Sequence, residues 1–304
     1  MTLDYQRALY HVGVRVPDLS AAMAELGAAL GITWAEVVQR DQPVWTPGEG
    51  AYTIPLRFTY SREGPQHVEL LQGAPGSLWD GDDRPGVHHV GAWVDDVAAE
   101  TGRLVAAGWT LEMAGRAPEE GYGPMTYVRS PGGFLLEPVS VAVLAEPFGQ
   151  LCDRAGGFGA DVHLEFIPMT VIKDVATAWQ IVHGADRRNG GILFDTWHFF
   201  RGSPDYEALR QVPGDWIFAV QIDDAAAARR VSMREDTLNR LLPGDGSLDL
   251  VTAVRELDRI GGLSWIGPEV ISPALETMPP VEAAALAGER VRALLARARG
   301  SATP

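Results

Sequence analysis

Apolar and polar residues alternate along two similar stretches of the chain, residues 11–18 and 89–96, as they do in a half-buried strand. Each stretch is followed by an alanine-rich segment of helical periodicity that ends at a glycine, a common helix stop. These segments are Leu19–Leu30 and Val97–Ala107. A further strand-like segment closes each copy, at residues 66–71 and 134–139. The pattern predicts an internal repeat in the first half of the chain.

The first copy of the repeat is longer than the second. The extra residues fall in the region 41–52, which contains two prolines and two glycines. Because these residues favour turns and interrupt regular structure, this region is predicted to be a loop.

Strand-like and helix-like segments alternate in the second half of the chain. Strands are predicted at residues 162–166, 191–195, 217–222 and 265–270, and helices at 171–182, 204–211, 248–260 and 280–298. This alternation is typical of βα units with a parallel sheet. The change of pattern predicts two domains, residues 1–145 and residues 158–304.

Four residues with metal-binding side chains occupy matching points of the repeat: His11, Glu69, His89 and Glu137. Imidazoles combined with carboxylates select a divalent cation. Because successive side chains of a strand face opposite sides, His88 is expected to point away from His89 and not to take part.

The motif His-x-Gly-x-x-Val-x-Asp, which begins at His11 and again at His89, resembles the vicinal oxygen chelate superfamily, as do the closing glutamates Glu69 and Glu137. The resemblance covers residues 8–142. It implies an α+β domain of paired βαβββ modules around one metal, with these four residues as ligands, as in bacterial glyoxalase I. Related dioxygenases hold Fe(II) with two histidines and one glutamate. Glu69 favours isomerase or lyase chemistry, because it fills a position that oxygen activation needs open.

Five segments in the second half resemble the xylose isomerase-like sugar isomerase and epimerase family over residues 160–298. They are Leu164–Phe166, Phe194–His198, Val220–Asp224, Leu242–Gly246 and Pro268–Val270. The resemblance implies a second divalent metal, and its ligands would be Glu165, Asp195, Gln221 and Glu269. His198 would line the active site, and Arg240 would orient the substrate.

The second resemblance extends over only four βα units, whereas a (β/α)8 barrel has eight. The predicted fold is therefore a glyoxalase-like domain followed by an α/β half barrel. An open parallel sheet leaves its edge strands unpaired. We expect two copies of the chain to complete one barrel in a homodimer. Two alternatives stay open: a separate protein supplies the missing half of the barrel, or the first domain covers the open side of the sheet.

Composition narrows the possible partners. The formal charge of −15 opposes binding to nucleic acid and to anionic membranes. Cys152 is the single cysteine, which excludes an intrachain disulfide. Residues 1–7 contain no apolar core of a signal peptide, and no apolar stretch reaches membrane-spanning length. A cytoplasmic location is expected.

The sequence predicts a metal-dependent isomerase, epimerase or lyase that acts on a small oxygen-rich metabolite through a metal-stabilised enediolate. The cofactor would be Mn, Mg, Ni, Zn, Co or Fe(II). The proton-transfer residues in the first site, where we expect the reaction, would be Glu69 or Glu137 displaced from the metal, or a carboxylate that is not assigned. In the second site they would be Glu165 and Glu269 with His198. Two alternatives stay open: an Fe(II) dioxygenase using His11, His89 and Glu137, and a non-catalytic small-molecule binding protein.

Overall fold

The structure is a computed structural model that describes residues 9–63, 66–228 and 232–300. The segment 1–7, in which no signal peptide was recognised, lies outside these residues. The chain divides into two compact units, Met1–Val143 and Leu144–Pro304.

The first unit contains eight strands and two α-helices among its described residues. The strands are β1 (Leu9–Arg15), β2 (Val38–Thr46), β3 (Gly50–Tyr60), β4 (His67–Gly73), β5 (Gly86–Val94), β6 (Thr110–Ala114), β7 (Thr126–Arg129) and β8 (Leu135–Ser140). The helices are α1 (Leu19–Leu30) and α2 (Val97–Ala106). The chain therefore runs through two βαβββ modules, β1–α1–β2–β3–β4 and β5–α2–β6–β7–β8.

The eight strands form a closed barrel in the order β1-β4-β3-β2-β6-β7-β8-β5. The two modules meet where β1 runs antiparallel to β5 and where β2 contacts β6. Within the first module β1 runs parallel to β4, and within the second module β5 runs parallel to β8. The order β4-β1-β5-β8 consequently places the four strands that carry the predicted ligands side by side.

The repeated aspartate of the sequence motif begins a helix in both modules. Asp18 Oδ1 accepts a hydrogen bond from the backbone N–H of Ala21, and Asp96 Oδ1 accepts one from Ala99, each at 2.9 Å. A side-chain acceptor at this position satisfies one of the free N–H groups of the first helical turn.

The prediction of a loop at residues 41–52 was wrong. Strands β2 and β3 form an antiparallel ladder from the pair Val38 and Phe58 to the pair Thr46 and Gly50. The extra residues of the first module therefore lengthen a hairpin. Its prolines and glycines did not prevent ladder formation, because Pro43 and Pro55 lie in strands whose other residues still pair.

The second unit contains four strands and eight α-helices among its described residues. The strands are β9 (Val162–Glu165), β10 (Gly190–Asp195), β11 (Ile217–Ile222) and β12 (Ile266–Pro268). The helices are α3 (Ala145–Gly156), α4 (Val175–Ala185), α5 (Thr196–Arg201), α6 (Tyr206–Arg210), α7 (Met233–Thr237), α8 (Leu250–Ile260), α9 (Pro273–Glu276) and α10 (Pro280–Ala298).

The strands of the second unit form one parallel sheet in the order β12-β11-β10-β9. Its core consists of alternate strand residues, such as Ile192, Phe194 and Ile222, packed with helix residues such as Ile181 and Val254. All of these side chains are buried. The core therefore joins the sheet to its helices. None of the helices in the described ranges is long and apolar enough to cross a membrane.

Candidate metal centres

The first centre lies inside the closed barrel, where β1, β4, β5 and β8 contribute His11, Glu69, His89 and Glu137. One donor atom of each residue lies within 4.8 Å of the other three. The two Nε2 atoms are 2.8 Å apart. Glu69 Oε2 is 3.3 Å from both Nε2 atoms, and Glu137 Oε2 is 3.2 Å from that of His11 and 3.1 Å from that of His89. All four side chains are buried.

The glycine of each repeat motif makes room for the histidine of the other module. In the ladder between β1 and β5, Gly13 is opposite His89 and Gly91 is opposite His11. A Cβ atom built at Gly13 would overlap the His89 ring, with Nε2 only 2.6 Å away. A Cβ atom at Gly91 would overlap the His11 ring in the same way, with Nε2 2.7 Å away. Both imidazoles therefore lie directly on backbone.

The carboxylates of the first centre favour charged imidazole when no cation is bound. Burial lowers the pKa of His11, but the carboxylates of Glu69 and Glu137 outweigh it and raise the pKa to about 9. They also raise the pKa of His89 against its burial. Burial alone would raise the pKa of each glutamate, but the two histidines hold it well below its usual range. The site thus attracts positive charge.

The four residues fit a divalent cation. Two donor atoms that are each about 2.0–2.2 Å from one metal lie about 2.8–3.6 Å apart at ordinary coordination angles. The measured separations of 2.8–3.3 Å fall in that range. In addition, Glu69 Oε2 is buried without a hydrogen bond to any described residue.

Three tyrosines near the first centre were missed in the sequence. Burial and the negative charges of Glu69 and Glu137 raise the pKa of Tyr10, Tyr60 and Tyr127, so these phenols are neutral hydrogen-bond donors. No motif distinguishes them. The only available signal was their position, because Tyr10 precedes a ligand and the other two lie on β3 and β7, next to the strands that carry the glutamates.

The expectation that His88 points away from His89 was wrong. The Nδ1 atoms of the two rings are 3.0 Å apart. The alternation of strand side chains fails here because the ladder between β1 and β5 changes register at this residue.

The second centre lies at the carboxyl ends of the strands of the second unit. Glu165 ends β9, Asp195 ends β10, Gln221 is the penultimate residue of β11, and Glu269 follows β12. Among the described residues, the three carboxylates of this set fall into two overlapping groups of potential ligands rather than one. Asp195 lies with Glu165 and His198 in the first group, and with Asp223 and Glu269 in the second.

Arg240 is buried among the carboxylates of the second centre. Its Nη1 donates to Asp195 Oδ2 at 2.7 Å, to Glu269 Oε2 at 2.8 Å and also to Asp223 Oδ2. Nη2 donates to the hydroxyl of Thr237 at 3.0 Å. The guanidinium thus contacts protein carboxylates, and direct contact with a substrate stays a prediction.

The oxygen atoms of the second centre are only partly available for a cation. Asp195 Oδ1 accepts from the backbone N–H of His198 at 2.7 Å, and Glu269 Oε1 accepts from the Gln221 amide at 3.1 Å. Glu165 Oε1 and Gln221 Oε1 are buried without a hydrogen-bond partner among the described residues. These oxygen donors suit a hard divalent cation, but Arg240 already supplies positive charge there. The fit is weaker than in the first centre.

Negative charge still exceeds positive charge around Arg240. Burial and the neighbouring Asp195 raise the pKa of Asp223 well above its usual value, although Arg240 opposes them. Burial also raises the pKa of Glu269, again against Arg240 and with the help of Asp195 and Glu165. Asp223 was missed in the sequence, where it lies two residues after Gln221 within the segment Val220–Asp224.

Asp224 organises the loop that contains the Pro-Gly-Asp-Gly segment. Its Oδ2 accepts from the backbone N–H groups of Gly244 and Gly246, each at 3.0 Å. Its Oδ1 accepts from that of Leu248 at 3.0 Å. This aspartate is a structural residue, and it holds the loop next to the strand that bears Gln221.

Comparisons with known proteins agree with this division of the chain. Residues 113–295 match the family described as xylose isomerase-like TIM barrel. The chain belongs to this family. Residues 10–127 match the glyoxalase, bleomycin resistance protein and dioxygenase superfamily. The fusion predicted from the sequence is thereby confirmed. The two matches overlap at residues 113–127, which lie in the glyoxalase-like unit of the structure.

Relatives of known name are similar to about half of this chain. An inosose isomerase of Bacillus velezensis is 28% identical over 50% of this chain and 55% of its own length. A 3-dehydroshikimate dehydratase of Pseudomonas aeruginosa is 27% identical over 45% of this chain and 22% of its own length. A solved IolI protein with a bound zinc atom is 27% identical, with a TM-score of 0.47 over 51% of this chain and 55% of that one.

Proposed function

We propose that the protein is a metal-dependent isomerase, epimerase or lyase that acts on a small oxygen-rich metabolite, with the first centre as its site of reaction. The observation that carries this proposal is the buried group of two imidazoles and two carboxylates whose donor atoms face one another. A set with four protein donors favours Lewis-acid chemistry over oxygen activation, which needs more open positions.

His11, Glu69, His89 and Glu137 would hold the cation. When bound, the cation would polarise a substrate carbonyl and stabilise the negative charge that develops as the adjacent C–H bond is broken. Glu69 or Glu137 would leave the cation when the substrate binds, take up that proton, and return it to the other face of the same carbon or to the neighbouring carbon. If that proton were instead passed to a β-hydroxyl, which would leave as water, the reaction would be a dehydration. Burial of the site would exclude water from the developing charge.

The names of the relatives support isomerase or lyase chemistry. They include inosose isomerases and 3-dehydroshikimate dehydratases. The chain spans about half the length of the isomerase relatives. We therefore propose a related substrate class, hydroxylated cyclic ketones, and leave the second centre, with Glu165, Asp195, Gln221 and Glu269, as a second candidate cation site.

The test combines elemental analysis with proton exchange. Wild type, His11→Ala and Asp195→Ala would be purified and their metal content measured by mass spectrometry. Each would then be incubated with inosose or 3-dehydroshikimate in D2O, and exchange of the C–H next to the carbonyl followed by NMR. We expect His11→Ala to lose one metal and the exchange. A wild type without metal after reconstitution, or exchange that survives in His11→Ala, would refute the assignment to the first centre.

We also propose that a second copy of the chain completes the barrel of the second unit. The four parallel strands support this, because an eight-stranded barrel consists of two such sets. So does the fact that relatives are matched over about half of their length. Analytical ultracentrifugation should give a dimer. A well-folded monomer at low concentration would exclude this arrangement.

A further inference from the structure

The structure points to a role for His88, a residue next to a proposed ligand. We propose that His88 is a positioning residue that fixes the ring of His89 with Nε2 directed at the cation. This inference rests on the proposed function of the first centre. It concerns a hydrogen bond whose existence can be measured without any metal.

A bulge in β5 directs His88 toward His89. In the ladder between β1 and β5, Gly13 pairs with His89, whereas the next residue, Val14, pairs with Val87. His88 is therefore an extra residue on β5 that has no partner in this ladder. Such a bulge changes the direction of the side chain and is frequent next to active sites. The rings of His88 and His89 meet edge to face, with centroids 5.1 Å apart.

The contact between the two rings fixes where the proton of His89 lies. Two ring nitrogens 3.0 Å apart form a hydrogen bond only if one carries the hydrogen and the other accepts it. The Nε2 atom of His89 faces Glu69, Glu137 and His11, and binding of a cation there leaves the hydrogen on Nδ1. His89 therefore donates through Nδ1–H, and His88 accepts through its own Nδ1.

The other side of the His89 ring is held by Gly13, where a Cβ atom would overlap it. His89 is thus confined by backbone on one side and hydrogen-bonded by His88 at the nitrogen that does not bind metal. A partner at that nitrogen sets the tautomer and orientation of a histidine ligand.

The equivalent position in the first module lacks this hydrogen bond. The ladder also changes register at Tyr10, so the residue before His11 is likewise unpaired there. Tyr10 packs its ring edge to face on His11, with centroids 4.3 Å apart. Nevertheless, His11 Nδ1 is buried and has no hydrogen-bond partner among the described residues. The bulge is repeated in both modules, but only the second module uses it to hold the distal nitrogen of a ligand.

The experiment compares His88→Phe, which retains a ring without an acceptor, with His88→Asn, whose side-chain oxygen can accept from His89. Tyr10→Phe is the matched control in the other module. The affinity for Zn²⁺ alone would be measured by competition with a chromophoric chelator. In metal-free protein, NMR would measure the 15N–15N coupling across the hydrogen bond between the two Nδ1 atoms.

We expect the coupling in wild type and in Tyr10→Phe. We expect His88→Phe to bind Zn²⁺ about 10- to 100-fold more weakly, and His88→Asn to recover most of that loss. Unchanged Zn²⁺ affinity in a folded His88→Phe variant would overturn the proposal, as would a wild type without the coupling. A wild type that shows the coupling but takes up no Zn²⁺ would refute the proposed function and leave the hydrogen bond established.

Discussion

The two units of this chain place carboxylates together under opposite conditions. The glyoxalase-like unit closes eight strands around its centre, so all four proposed ligands are buried and their negative charge is balanced by two imidazoles. The xylose isomerase-like unit has four strands, and the side chains of Glu165 and Glu269 remain 29% and 34% exposed. There a buried arginine balances part of the charge. The presence of potential ligands in the sequence therefore does not determine how well the folded site suits a cation.

Removal of the buried arginine should have the largest effect. We expect Arg240→Met to destabilise the second unit by about 3–5 kcal/mol, because it leaves buried carboxylates without their partner. Arg290→Ala, which breaks an exposed ion pair with Asp245, should cost no more than about 1 kcal/mol. Thermal unfolding of both variants would measure the difference. Equal stabilities would mean that Arg240 does not stabilise the second centre.

Substitution of a motif glycine should affect the first centre next. We expect Gly13→Ala to weaken binding of Zn²⁺ by roughly 100-fold, about 2.7 kcal/mol, because the methyl group displaces His89. Gly102→Ala is the matched control, since a Cβ atom at this position of α2 has no neighbour within 4 Å. Isothermal titration of both variants would decide. Normal affinity in Gly13→Ala would show that the close contact is not required.

Metal removal should distinguish the two units. With free metal at ten times its Kd, chelation should lower the stability of the first unit by about 1.4 kcal/mol. The unfolding transition of the second unit should change less, because Arg240 already neutralises part of its charge. Differential scanning calorimetry with and without chelator would resolve the two transitions. A larger shift of the unfolding transition of the second unit would indicate that the second centre binds the metal more tightly than the first.

The smallest effect should come from the helix caps of the repeat. Asp96→Ala should cost about 1 kcal/mol of stability, since it removes an acceptor at the start of α2. Zn²⁺ affinity should not change, because Asp96 acts on the helix and not on the ligands. Asp18→Ala in the other module should behave in the same way. A loss of metal in either variant would indicate that the caps also position the strands.

The bounds of some elements could be predicted because periodicity and stop signals act locally, but helix α3 (Ala145–Gly156) was not predicted and helix α4 begins at Val175 rather than at residue 171. Helix α1 (Leu19–Leu30) and helix α10 (Pro280–Ala298) agree with their predicted bounds. The repeat also predicted which residues of the first unit would meet, since equivalent points of two modules face one axis. Assignment of metal to them stays a prediction.

Features that depend on how the strands pair could not be predicted from the sequence. The position of His88 depends on a bulge, and a bulge arises from the register with β1 and not from the residue itself. The role of Gly13 depends on which residue lies opposite in the other module. Arg240 was predicted to contact substrate, and its partners became visible only when strands distant in sequence were brought together.

The exchange of glycine and histidine between the modules links their sequences. His11 needs the space left by Gly91, and His89 needs the space left by Gly13. A side chain introduced at the glycine of one module would therefore displace the histidine of the other. Two copies of a repeat can ordinarily change independently of each other. Here, neither module can acquire a side chain at its motif glycine unless the position of the histidine in the other module also changes. The four residues of the first centre are therefore sterically constrained as one group, although they lie in two separate segments of the chain.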